Sequence, residues 1–157
     1  MSNICIAVMK KVDSLDELKN RVCPLIKSYE LGVFFDVECD SWEIKKYFND
    51  EYTLISLADS ERFDNCEMLI LDDWSNANGH ENELSFSKRM EQIRSVIDIL
   101  LDFDEEVHLY IGYCGAAEED YERYDFVLSD FVRKAQILNT KYYSRHPKDV
   151  HFAITRD

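Results

Sequence analysis

The chain has 157 residues, 46% of them apolar, with nine Phe and nine Tyr but only four Gly and two Pro. That excludes disordered and collagen-like classes and predicts one domain, residues 1–157, with a substantial core. Eighteen basic against 32 acidic residues leave a formal charge of −14, the wrong sign for a protein that binds nucleic acid or anionic membranes by neutralising phosphates.

The first element reads as a strand, Asn3 to Met9, because Ile4, Ile6 and Val8 alternate. Ser14-Leu15-Asp16-Glu17 has the form of a capping box. Behind it Leu15, Leu18, Val22, Leu25, Ile26 and Tyr29 keep helical spacing, with Pro24 expected to kink or shorten the helix. A short strand over Gly32–Val37 and a brief helix behind Asp40 and Glu43, carrying Ile44, Tyr47 and Phe48, come next. Tyr52–Ala58 and Cys66–Leu71 read as strands, the second as the continuous apolar run of a buried central strand. The strongest helix covers Leu84–Leu101, where Phe86, Met90, Ile93, Ile97 and Leu100 repeat at three and four residues. Val107, Leu109, Ile111 and Tyr113 then alternate as a strand. Phe131, Ala135 and Leu138 mark a last long helix, starting near Tyr121 or at Ser129, and Val150, Phe152 and Ile154 alternate in a final strand. This order predicts an α/β fold: a single mixed or mostly parallel sheet of about six strands, covered on both faces by about four helices.

The five cysteines, at 5, 23, 39, 66 and 114, are odd in number and widely spaced, as expected of free thiols in a reducing cytoplasm. No apolar run approaches the roughly 20 residues that cross a bilayer. Met1 to Met9 lacks a basic secretory n-region, so a cytoplasmic location is expected.

The acidity is localised. Residues 59–83 hold eight acidic groups against Arg62, and residues 102–125 hold nine against Arg123, so the two blocks carry −7 and −8 and the remainder sums to +1. A surface that serves solubility alone would intersperse both signs. Asp72-Asp73-Trp74, with Glu81 and Glu83 beyond it, follows one predicted strand. Glu118-Glu119-Asp120-Tyr121-Glu122-Arg123-Tyr124 follows another. Loops at strand C-terminal ends are where open α/β sheets place binding sites. Carboxylates beside Trp and Tyr suit a partner surface rich in Lys and Arg. Asp59–Asp64 and Asp102–Glu106 precede strands and are expected toward the opposite end.

No dinucleotide, P-loop, nucleophile-elbow, zinc-protease, EF-hand or Cys-x-x-Cys pattern occurs. Gly112-Tyr113-Cys114-Gly115 reads as a turn. The sharpest enzymatic candidate is Asp72 and Asp73 with His80 and Glu81, able to hold Mg²⁺ or Mn²⁺ for hydrolysis. Adjacent residues of an extended segment point opposite ways, however, which weighs against a shared ion. Cys114 with His108 or His80 lacks an orienting third group, and His146 and His151 read as ordinary surface or strand residues.

An acidic, aromatic-rich α/β chain with Asp72-Asp73-Trp74 and Glu118–Asp125 and no catalytic motif resembles the cytoplasmic immunity proteins of bacterial polymorphic toxin and contact-dependent growth inhibition systems. The likeness is one of overall character. It implies a non-enzymatic inhibitor without metal or cofactor, binding a cognate basic toxin domain of the nuclease type through Asp72, Asp73, Trp74, Glu81, Glu83, Glu118, Glu119, Asp120, Tyr121, Glu122 and Tyr124. A small metal-dependent hydrolase and an accessory subunit of a larger complex are the competing classes, and the oligomeric state is left open.

Overall fold

The computed structural model describes residues 3–36, 48–49, 51–58, 86–113, 122–142 and 150–157. The alternation around Ile6 and Val8 becomes the first strand, β1 (Asn3–Lys10). Ser14 caps helix α1 (Leu15–Ser28), its Oγ accepting from the Glu17 N–H at 3.2 Å, which satisfies one of the donors a helix start leaves open. The helix continues through Pro24 and buries Leu18, Val22 and Ile26. It ends with Leu31 N–H donating to the Ile26 carbonyl (3.3 Å) and Glu30 at φ 60°, a left-handed termination that glycine usually occupies.

Strand β2 (Gly32–Phe35) is shorter than the predicted Gly32–Val37. Asp36, at φ 49°, pins its end to β3 (Tyr52–Ala58): its N–H donates to the Leu54 carbonyl (2.9 Å) and its carboxylate accepts from the Leu54 N–H (3.0 Å). Helix α2 (Phe86–Leu100) is the predicted core helix, with Met90, Ile93, Ile97 and Leu100 buried. It leads to β4 (Glu106–Tyr113). Residues Glu122–Val127 form strand β5, then a 3₁₀ turn (Leu128–Asp130) precedes helix α3 (Phe131–Tyr142). A helix starting near Tyr121 is therefore wrong, and the alternative start at Ser129 is close. Tyr124 and Phe126 alternate with Arg123 and Asp125 at period two, a strand signal that the acidic run obscures. Strand β6 (Val150–Thr155) is the last element. The expected Cys66–Leu71 strand and, Phe48 aside, the brief helix before it lie outside the described residues.

The six strands lie in the order β2-β3-β1-β4-β6-β5, and every neighbouring pair is antiparallel except β5 with β6. The fold is α/β, and of the two expected forms the sheet is the mixed one; it is mostly antiparallel, so the mostly parallel alternative fails. The pairings give the reason. Each helix does join strands that run the same way: β1 and β2 through α1, β3 and β4 through α2, β5 and β6 through α3. Only the last two are neighbours. β3 is inserted between β2 and β1, and β1 between β3 and β4, each against the direction of its neighbours. Through β4 this is the split β-α-β-β-α-β arrangement.

All three described helices pack on one side, where Leu18, Ile26, Ile93, Ile97, Phe131 and Ala135 meet Met9, Ile55, Leu57, Leu109 and Phe152 of the sheet in one core.

Candidate functional site

The other face of the sheet carries the chemistry. His108 on β4 and His151 on β6 stand one step apart on their antiparallel ladder, where Tyr110 pairs with His151 and His108 with Ala153. Side chains at such diagonal positions share a face. The two imidazoles are 3% and 1% exposed, and His108 Nδ1 lies 2.7 Å from His151 Nε2. On its other side His108 Nε2 is 2.7 Å from Glu106 Oε1. A carboxylate accepts, so His108 Nε2 carries its hydrogen. A neutral His108 then offers Nδ1 as acceptor, and His151 Nε2–H donates to it. The result is a directed chain, His151 to His108 to Glu106, with both tautomers assigned by the bonds.

Aromatic rings enclose the chain. Tyr110 stacks on His151 with centroids 4.2 Å apart and 16° between planes. Phe48 meets His108 edge-on at 4.9 Å. Val8, Leu54 and Tyr110 form a small core on this face, with Ile6, Phe48 and Tyr52 against it. Burial pushes the His108 pKa below that of a free imidazole, against the pull of Glu106. Burial, the neighbouring His108 and Arg123 bring His151 down to about 3. Both are neutral near pH 7, as expected of imidazoles withdrawn from water beside each other.

The two ends of the sheet differ in charge. One end collects the C-terminal ends of β1 and β6 and the start of β4, and there acids meet cations. Arg156 reaches Asp102 (2.7 Å), the Asp98 carboxylate (3.1 Å) and the Asp98 carbonyl. Arg21 binds Asp102 (2.7 Å) and lies over the Phe103 ring, and Lys10 approaches Asp104. Arg156 and Arg21 hold the Asp102 carboxyl below the usual range. A cleft of about 470 Å³ beside them sets Lys10, Lys11 and Arg21 against Asp13, Glu17 and Asp102. As expected, Asp102–Glu106 lie at this end.

The opposite end is where β3 and β4 finish and β5 begins: Ala58 faces Gly32, Tyr113 faces Asn3, and Glu122 faces Val150. β3 and β4 run the same way with β1 between them, so the chain leaves both at this end of the sheet. Of the residues expected to bind a partner, Glu122 and Tyr124 sit on β5, and the Tyr124 ring is half buried against Phe152 at 6.1 Å. Asp72, Asp73, Trp74, Glu81, Glu83, Glu118, Glu119, Asp120 and Tyr121 lie outside the described residues, as do His80 and Cys114. Among the described cysteines Cys23 is a free thiol. No group of three His, Cys, Asp or Glu side chains that could hold a metal ion is found among the described residues. No described helix is long and apolar enough to cross a membrane.

The histidine pair went unseen in the sequence. His108 follows the strand alternation that places it opposite Val107 and Leu109, but His151 is 43 residues away, and only the β4–β6 register joins them. The chain matches no protein-family model, no curated protein and no solved structure.

Proposed function

We propose that this chain is an immunity-type inhibitor that binds and neutralises a cognate basic, nuclease-type toxin domain, acting by stoichiometric contact rather than by catalysis. The observation that carries the reading is the segregation of charge. Residues 59–83 and 102–125 hold −15 between them while the rest of the chain sums to +1. The topology supports it further. Residues 59–85, which include Asp72-Asp73-Trp74, Glu81 and Glu83, follow β3, and residues 114–121, which include Glu118-Glu119-Asp120-Tyr121, follow β4; both strands finish at one end of the sheet, where Glu122 opens β5. At the other end Asp98, Asp102 and Asp104 are engaged with Arg156, Arg21 and Lys10. A partner with a nucleic-acid cleft offers the complementary sign, and long-range attraction speeds such encounters.

The test is kinetic binding to the product of the adjacent gene, which this reading expects to end in a toxic domain. Association is expected to slow as salt rises from about 0.05 to 0.5 M, because the screening length shrinks toward a few ångströms. Charge reversal at Asp72 and Asp73, or at Glu119, Asp120 and Glu122, is expected to slow it further. Trp74→Ala and Tyr121→Ala are expected to raise the dissociation rate instead, since they remove packed area rather than steering charge. Salt-independent association, with both reversals silent, would leave the acidity as a solvated surface and end the reading.

A further inference from the structure

We infer that Glu106, His108 and His151 form a proton-operated latch across the β4–β6 seam, closed with both imidazoles neutral or with one proton added, and forced open by a second. The geometry sets this limit. At 2.7 Å the facing nitrogens, His108 Nδ1 and His151 Nε2, have room for one hydrogen between them. In the neutral pair that hydrogen belongs to His151. A proton from solvent can be accommodated by handing the shared hydrogen to His108 and placing the new one on His151 Nδ1. The charge then rests on His108, 2.7 Å from the Glu106 carboxylate. Asp104, which precedes Glu106 and engages Lys10, also favours a cation there. A second proton puts hydrogens on both facing nitrogens, and the rings must part.

The surroundings decide the order of loading. Arg123 stands in register with His151 on β5 and opposes charge on both imidazoles; Asp125, bonded to Arg123 at 2.9 Å, favours charge on His151, whereas the Glu106 carboxylate lies 2.7 Å from His108. Tyr110, stacked on His151, and Phe48, against His108, keep water from both. His108 therefore loads first, and opening requires His151 to leave Tyr110.

Nitrogen-detected NMR of the two imidazoles in the intact protein tests this. Near pH 7.5 both rings are expected to carry hydrogen on Nε2. On acidification His108 should titrate before His151, and the native spectrum should be lost with the second proton. Glu106→Gln should move the His108 titration to lower pH. The pH dependence of the urea midpoint counts protons taken up on unfolding. His151→Phe, which keeps a ring for Tyr110, should lower that count by about one between pH 4 and 6. If that variant does not fold, the wild-type titration decides alone. Hydrogen on His108 Nδ1 at neutral pH, or both rings charging near pH 6.5 with the native spectrum retained, would overturn the latch.

Discussion

Leu109 and Tyr110 are neighbours on one strand, and neither has any exposed surface. Leu109 joins the helix-covered core with Phe152 and Ile154, a burial that is indifferent to pH. Tyr110 faces the other way, onto His151, with His108 behind it. Polar groups buried like these cost stability unless hydrogen-bonded, and the chain through Glu106 supplies those bonds only for the neutral or singly charged pair. Two neighbouring positions on opposite faces of the sheet are buried to the same degree by different chemistry. The first belongs to a core whose burial does not depend on pH, and the second to a cluster whose stability is conditional on protons.

The comparison can be broken from its apolar side first. Ile93 and Ile97 are each 1% exposed in the core cluster, so Ile93→Ala or Ile97→Ala is expected to cost about 2–5 kcal/mol in urea melts, with the same loss at pH 7 and pH 5. A loss below about half a kilocalorie would mean that the helical face carries little of the stability. The histidine side predicts a pH dependence. His151 has a folded pKa near 3 against 6.5 for a free imidazole, so its contribution is complete above pH 6.5. The unfolded chain binds the extra proton below that, and stability falls as pH falls toward 3. The slope from this group is at most about 1.4 kcal/mol per pH unit. A urea midpoint that stays level from pH 7 to 4.5 would remove the distinction between the faces.

Changes that touch neither face sharpen the contrast. Arg156→Ala removes solvent-exposed ion pairs with Asp98 and Asp102 and is expected to shift the urea midpoint only slightly, an effect that about 0.5 M salt erases. Smallest is Glu30→Gly, which relieves a left-handed residue at the end of α1. It is expected to gain about 0.5 kcal/mol, the relief being partly offset by the greater freedom of glycine when unfolded.

What the sequence made legible was local. The α2 stripe of Met90, Ile93, Ile97 and Leu100 follows from helical spacing, and the alternation of Val107 and Leu109 from the pleat. Which strand fills the slot between two others is not legible, because β3 beside β1 and β6 beside β4 are choices made by packing far along the chain. The same non-local register creates the His108–His151 contact, so alternation could place each residue on a face without revealing its partner. β5 was missed for a different reason: its charged positions, Glu122, Arg123 and Asp125, belong to an acidic run that extends before it, and composition masked the period.

The place of β6 has a consequence for how the protein is made. β6 comes after all other described strands and fills the slot between β4 and β5. While the ribosome is still short of residue 150, β4 has a bare edge along Val107–Ile111 and β5 has no described neighbour. An unpaired strand edge with apolar side chains is a template for association with other chains. The emerging polypeptide therefore exposes the β4 edge until β6 is added, and a chain truncated ahead of β6 is expected to aggregate, a loss that the soluble fraction after expression would read.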